Sequence, residues 1–126
     1  MVIICLRKKS IIMAIIVKTE KPEYIVERIR EKIDDGEIIT WTYDEDGDFT
    51  HTGQWHNKAW FSMIYDDDSL TFYIVGRKDI QMELREYSIF HGFFVELLLN
   101  HFSQEISNIE VKVPLEHPAD CSRINL

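Results

Sequence analysis

The chain has few cysteines, prolines and glycines, and it has no long apolar run. Its two cysteines, Cys5 and Cys121, are too few for a disulfide framework and are not spaced as a CxxC metal pair. They fit a reducing cytoplasm, with a single disulfide between the two ends of the chain as the alternative. The apolar run IIMAIIV at residues 11–17 is too short to span a bilayer, and no small-residue cleavage site of a signal peptide follows it.

The remaining composition is that of a globular protein. Hydrophobic residues make up 45% of the chain and aromatic residues 12%, which is enough to bury a core. With a length of 126 residues, we expect a single domain over residues 1–126. Residues 1–10 are expected to be a loose N-terminal tail, and residues 114–126 an irregular C-terminal tail. Met13 is an alternative start to Met1, in which case residues 1–12, with the whole of the first tail, precede the true start.

Acidic residues outnumber basic ones, and the excess lies in the middle of the chain. The net charge is −8. Residues 1–32 carry eight basic and four acidic residues, whereas residues 33–76 carry one basic and ten acidic residues. Such a negative segment repels phosphate backbones and attracts cationic surfaces. The charge pattern therefore argues against direct nucleic-acid binding and favours a basic protein as partner, with solubility alone as the alternative explanation.

Hydrophobic periodicity predicts two helices. The first begins with Pro22, which suits the first helical position, and stops at Gly36. The second runs from about residue 85 to residue 102 and is apolar on more than one side, so we expect it to be buried. Gly92 lies inside this helix, where glycine lowers stability, and close packing of another backbone would explain it.

The strand pattern completes an α+β fold. A β-branched strand at residues 11–17 precedes the first helix, hairpin strands lie between the helices, and a last strand ends before Pro114. The predicted order is β-α-β-β-β-β-α-β, with a short extra strand near residues 80–84 as an option. We expect a mainly antiparallel sheet with two helices packed on one face.

The first hairpin, in EIITWTYDEDGDFTHTG, has a register that can be worked out from its side chains. A three-residue loop with Gly47 in the left-handed conformation pairs Asp44 with Asp48. This register separates apolar residues from threonines, and a slip of one residue would mix them. The core face then holds Ile39, Trp41, Tyr43 and Phe49, and the outward face holds Thr40, Thr42, Thr50 and Thr52.

The second hairpin consists of AWFSMIY and LTFYIV, joined by DDDS. Pairing Tyr65 with Leu70 predicts a core face of Phe61, Met63, Tyr65, Leu70, Phe72 and Ile74. The opposite face is too apolar to remain in water, so we expect another element of the chain or a partner to cover it. The candidate partner-binding residues on this outer face are Trp60, Ile64, Tyr73 and Val75.

Both hairpins have acidic tips. In a meander the two tips emerge at the same end of the sheet, about 10 Å apart if the strands are adjacent. Carboxylates at that spacing repel one another and favour fast, salt-sensitive association with a basic surface. The candidate partner-binding residues in the tips are Asp44, Glu45, Asp46, Asp48, Asp66, Asp67 and Asp68.

Motifs of known chemistry are not found. Asp44, Asp46 and Asp48 have the spacing that begins an EF-hand loop, but Phe49 and Trp55 occupy the positions that require Gly and Glu. We find no phosphate-binding glycine loop, nucleophile elbow or zinc motif. The sequence therefore predicts no catalytic residue, no metal site and no cofactor, and it leaves enzymatic activity open.

Two functions remain. The first is a small acidic protein-interaction module, such as an inhibitor or immunity-type binder of a basic partner, or a self-associating protein. The second is a small-molecule-binding protein or enzyme with a pocket between the sheet and the C-terminal helix. The residues expected to line that pocket are Trp41, Tyr43, His51 and His101. A polar-lined cavity would favour the second function, and a filled core the first.

Overall fold

The computed structural model of the chain describes residues 2–5, 14–53, 55–113 and 121–124. Within these residues it has eight strands and two α-helices. In chain order they are β1 (Val2–Cys5), β2 (Ala14–Lys18), α1 (Pro22–Asp34), β3 (Trp41–Tyr43), β4 (Phe49–His51), β5 (Ala59–Tyr65), β6 (Ser69–Arg77), α2 (Leu84–Phe102), β7 (Asn108–Val111) and β8 (Cys121–Ile124). The predicted α+β arrangement is confirmed.

The long strand β6 organises the sheet. On one side it pairs with β5; on the other side it pairs with β2 along its first half and with β8 along its second half. Strands β4 and β3 continue the sheet beyond β5, while β7 lies outside β2 and β1 lies outside β8. Only the β6–β8 pairing is parallel among the described strands, so the predicted mainly antiparallel sheet is confirmed.

Helix α1 has the predicted bounds and the predicted apolar stripe. Pro22 occupies its first turn, and Gly36, with φ of 81°, follows its end. Ile25, Val26 and Ile29 are fully buried. The spacing of these three residues places them on one side of the helix, against the sheet.

Helix α2 begins at a capping box. The Glu83 side chain accepts from the backbone of Glu86, and the Glu86 side chain accepts from the backbone N–H of Glu83 at 3.0 Å. These bonds satisfy backbone groups at the start of the helix, so Leu84 is already helical. The optional strand near residues 80–84 is therefore absent, and the residues before Leu84 form a turn and an extended loop.

Aromatic rings from α2 fill the core. The ring of Phe94 lies 4.7 Å from the rings of Phe61 and Phe72, and 4.9 Å from that of Trp41. Phe90 lies 4.8 Å from Phe61 and 5.1 Å from Trp41. The helix is thus fixed to one face of the sheet through edge-to-face, tilted and stacked ring contacts, which add to the burial of apolar surface.

The explanation predicted for Gly92 is wrong. The residue is exposed, and a Cβ atom built on it would meet no atom within 4 Å. Phe90 and Phe94 face the sheet, and Gly92 lies between them in sequence on the solvent side of the helix.

Both hairpin registers are confirmed. Trp41 pairs with His51, and Tyr43 pairs with Phe49. Gly47 has φ of 84°, the left-handed conformation that the three-residue loop requires. In the second hairpin Tyr65 pairs with Leu70, so the core and outer faces alternate as predicted.

Three assignments of residues to faces need correction. Ile39 is 75% exposed and Ile38 is buried instead, because β3 begins only at Trp41 and the alternation does not extend back to Ile39. Thr50, predicted to face outward, is buried, and its hydroxyl donates to the carbonyl oxygen of Ala59 at 2.8 Å. Tyr65 lies at the end of its strand and is 42% exposed.

The two tails contain strands that the sequence did not predict. Val2–Cys5 and Cys121–Ile124 pair with each other, and the second of them also pairs with β6. Four-residue strands are too short for a clear alternation, which is why both segments resemble loops in sequence. The other residues of 1–10 and 114–126, and residues 11–13 of the predicted first strand, lie outside the described residues.

Candidate functional site

Strand pairing places the two acidic tips at the same end of the sheet. β4 leaves the first tip and pairs with β5 through Phe49 and Phe61. β5 then continues to Tyr65 before the second tip begins. The second tip therefore projects about 13 Å further along the strands than the first, given ~3.3 Å per strand residue.

Asp44 shapes the first tip. Its Oδ1 accepts from the backbone N–H groups of Asp46 and Asp48, each at 3.1 Å. Its carbonyl oxygen accepts from the backbone N–H of Gly47 at 2.9 Å. These bonds are the local reason why the loop closes where the sequence predicts it.

Arg123, from β8, neutralises part of this tip. Its Nη2 lies 2.7 Å from Asp44 Oδ2 and 2.8 Å from Asp48 Oδ2. The side chains of Arg123 and Asp48 are 4% and 5% exposed. The guanidinium also lies 3.7 Å over the ring of Trp60, a close cation–π contact. Asp44 and Asp48, both candidate partner-binding residues, are thus engaged within the chain.

Burial raises the pKa of the Asp48 carboxyl. The hydrogen bonds from Arg123 and Ser62 lower it, and the nearby charge of Asp44 raises it again. Two carboxylates share one guanidinium here, so the cluster keeps an excess negative charge when both are ionised. Uptake of a proton relieves that excess, but the main reason for the raised pKa of Asp48 is its burial, which disfavours the charged carboxylate.

The second tip is more open. Asp66, Asp67 and Asp68 are exposed, and Lys18 Nζ reaches Asp68 Oδ2 at 3.4 Å in an exposed ion pair. In the first tip, Glu45 and Asp46 are exposed as well. Within the part of the chain that the structure describes, no ion pair involves Glu45, Asp46, Asp66 or Asp67.

The acidic surface extends onto α1. Burial raises the pKa of the Tyr65 hydroxyl, the charges of Glu23 and Glu27 raise it further, and the charge of Arg30 lowers it. Glu23 and Glu27 are exposed on α1, near the second tip. Arg30 donates to the carbonyl oxygen of Gly47 at 3.0 Å, so α1 also contacts the first tip. We call this surface the acidic end; it comprises Glu23, Glu27, Glu45, Tyr65, Asp46, Asp66 and Asp67.

The outer sheet face is partly covered by the chain itself. Trp60 and Val75 are buried, Tyr73 packs against them half-buried, and Arg123 lies over the ring of Trp60. Ile64 remains 46% exposed. Of the four residues that the sequence offers to a partner on this face, Ile64 and Tyr73 keep accessible surface.

Of the residues of the alternative pocket, Trp41 and His51 are in contact, but core rings occupy the space around Trp41. Trp41 is buried, and the rings of Phe90, Phe94 and Phe61 surround it. His51 contacts Trp41 edge-on at 5.3 Å. The space between the sheet and α2 at Trp41 is therefore filled by the protein's own rings.

Two polar groups of that pocket, on Tyr43 and His51, have other partners. The Tyr43 hydroxyl donates to Asp34 at 2.8 Å, and this bond is the main cause of the raised pKa of Tyr43. His51 Nδ1 accepts from the backbone N–H of Gly53 at 3.0 Å, and burial lowers the pKa of His51. His101 lies in the last turn of α2, and the centre of its ring is 6.4 Å from that of the Phe102 ring.

The described residues provide neither a metal-binding cluster nor a helix that could span a membrane. No group of three or more His, Cys, Asp or Glu side chains there is arranged to hold a metal ion. Neither α1 nor α2 combines the length and the apolar character that crossing a bilayer requires.

The sequence located the acidic tips but gave no indication of Arg123. The arginine is 75 residues from Asp48 in sequence and belongs to a short strand without a pattern. Comparison adds no functional assignment, since no family model, no curated protein and no solved structure matches this chain.

Proposed function

We propose that the protein is a small acidic protein-interaction module whose acidic end binds a basic protein. The observation that supports this most is a set of exposed carboxylates that have no ion pair with any described residue and lie in two hairpin tips at one end of the sheet: Glu45, Asp46, Asp66 and Asp67. Within each tip the two exposed carboxylates are neighbours in sequence and repel each other, and a cationic partner that contacts both tips relieves that repulsion.

Tyr65 gives this surface an aromatic contact. Its side chain is 42% exposed and lies close enough to Glu23 and Glu27 for their charges to affect its pKa. Tyrosine is enriched among the residues that dominate binding energy at protein interfaces. Arginine stacks on aromatic rings and forms bidentate pairs with carboxylates, so an arginine-rich partner surface fits the acidic end best.

One concrete form of this role is an inhibitor or immunity-type protein. An acidic surface that covers the cationic, phosphate-binding site of a nuclease-like enzyme would block that enzyme, and its charge would accelerate the encounter. We propose a cytoplasmic location, in keeping with the low cysteine content. Self-association through Ile64 and Tyr73 on the outer face is a further proposal.

The small-molecule alternative has less support. Trp41 is surrounded by core rings, and the hydroxyl of Tyr43 is bonded to Asp34. A catalytic role for His51 would need a convergent acid or nucleophile. Its ring nitrogen Nδ1 instead accepts from the backbone of Gly53.

The proposal can be tested by neutralising the acidic end alone. The test variant changes four residues: Glu45→Gln, Asp46→Asn, Asp66→Asn and Asp67→Asn. It leaves Asp44 and Asp48 with Arg123, so the first tip keeps its internal bonds. A partner captured from the native host lysate, and an arginine-rich peptide as a defined probe, should then associate more slowly, with a flatter dependence of the rate on salt.

A matched control separates position from total charge. The control variant removes the same number of charges from exposed carboxylates that already have a cationic partner: Glu31→Gln, Glu37→Gln, Asp79→Asn and Glu110→Gln. It should associate at nearly the wild-type rate. Equal slowing of both variants would mean that net charge alone acts, and an unchanged rate for the test variant at low salt would exclude the acidic end as the binding surface.

A further inference from the structure

The only two cysteines of the chain are direct neighbours across two strands. β1 and β8 pair antiparallel, and Cys5 is the register partner of Cys121. Almost the whole sequence separates the two residues. The sequence therefore places its two thiol-bearing residues at the ends of the chain, and the fold brings those ends together in register.

The backbone geometry of such a pair suits a disulfide bond. Directly opposed residues of an antiparallel pair have Cα atoms about 4.5 or 5.5 Å apart, depending on their place in the hydrogen-bond pattern. Disulfides span Cα separations of about 4.4–6.8 Å, so either value fits without movement of the strands. We propose that Cys5 and Cys121 are a reversible disulfide site that links the two ends of the chain.

The reaction needs an oxidant, and a small disulfide such as oxidised glutathione supplies one. The thiolate of one cysteine attacks a glutathione sulfur, forms a mixed disulfide and releases one reduced glutathione. The thiolate of the other cysteine then attacks the protein sulfur of that mixed disulfide and releases the second. One sulfur–sulfur bond forms and one breaks. The two cysteines lose two protons and two electrons, and glutathione disulfide gains them.

The link would hold β8 in the sheet. β8 pairs with β6 over Val75–Arg77, and β1 pairs with β8 alone among the described strands. Arg123 is two residues from Cys121, so the same strand presents the guanidinium to Asp44 and Asp48. In a reducing cytoplasm the site would stay as two thiols and close when the glutathione pool becomes oxidised.

The test measures how readily the bond forms in the folded and in the unfolded protein. The full chain is equilibrated with glutathione buffers of increasing reduced-to-oxidised ratio, with and without urea. The thiols are then trapped with a maleimide and counted by intact mass. The folded chain should keep its internal disulfide at a ratio at least about tenfold more reducing than the unfolded chain tolerates, because folding holds the two residues together.

A displaced cysteine provides the control. The variant Cys5→Ser with Ile4→Cys keeps two cysteines at almost the same separation in sequence, but the new cysteine is the register partner of Ser122. Neighbouring strand positions point to opposite faces, so this variant should lose the tenfold advantage of the folded state. Equal midpoints for the folded and unfolded wild type, or equal midpoints for the wild type and the displaced variant, would overturn the proposal.

Discussion

Replacement of Arg123 by methionine tests whether the buried ion cluster stabilises the fold. The substitution removes the guanidinium that contacts Asp44 at 2.7 Å and Asp48 at 2.8 Å. Asp48 is 5% exposed, so it would be left as a buried carboxylate without a counter-charge. Breaking a buried pair in this way costs about 3–5 kcal/mol. Contact of the methionine sulfur with the ring of Trp60 can restore ~0.3–1.5 kcal/mol of this stability. We therefore expect the free energy of unfolding to fall by about 3 kcal/mol at neutral pH.

The stability lost on replacing Arg123 by methionine should decrease as the pH falls. The pKa of Asp48 is raised in the folded state, so the folded protein binds this proton more tightly than the unfolded protein does. Stability from that proton is present at acidic pH and is lost as the pH rises through the folded pKa. Removal of Arg123 also removes an interaction that lowers this pKa, so the pKa rises further. The penalty of the substitution is therefore largest at neutral pH and decreases as the pH falls.

Urea unfolding at neutral and at mildly acidic pH measures both quantities. Arg77→Met is a matched control, because Arg77 forms a bidentate pair with Asp79 at 2.7 and 2.9 Å on the exposed surface. Exposed ion pairs contribute little to stability, so the control should lose much less than Arg123→Met. The reasoning is refuted if the two variants lose the same stability at neutral pH, or if the penalty of Arg123→Met grows as the pH falls.

Two further substitution pairs test the core and the glycines, with urea unfolding as the assay. Phe94→Ala should lower the free energy of unfolding by about 3–5 kcal/mol, because the ring is fully buried. Phe93→Ala, at a residue that is 40% exposed, should lower it by less. A decrease below about 1 kcal/mol for Phe94→Ala would mean that another face of α2 is the buried one. Gly92→Ala should stabilise the helix by up to ~1 kcal/mol, since no atom lies within 4 Å of the new Cβ. Gly47→Ala should destabilise the fold, because φ is 84° and the new Cβ would lie 2.5 Å from Arg30; a neutral result would show that the loop rearranges easily.

The hairpins are the part of the fold that the sequence predicts best. Alternation along Trp41–Tyr43 and the position of Gly47 allow one register that separates apolar from polar side chains, and the structure has that register. Helix α1 could be predicted equally well from the sequence. Pro22 and Gly36 mark its ends, and its apolar stripe repeats with the helical period. In these segments, local chemistry and the fold agree.

The parts that sequence missed depend on partners distant along the chain. Thr50 is buried because its hydroxyl bonds to Ala59, and nothing near Thr50 indicates that contact. Asp48 appeared as a free carboxylate of an acidic turn because its partner, Arg123, follows 75 residues later. Pairwise contacts of this kind leave no periodic signal, so the candidate acidic surface could be located but not divided into engaged and available carboxylates.

The position of β8 has a consequence for how the protein is made. β8 is inserted between β6 and β1, and β1 pairs with β8 alone among the described strands. Among the described strands, β1 is therefore the first to leave the ribosome during synthesis, and its partner β8 is the last. Until β8 is made, the backbone of β1 lacks its strand partner, and the segment Val75–Arg77 of β6 lacks the strand that pairs with it on that side. We expect the nascent chain to depend on chaperone protection of these two edges until β8 has been released.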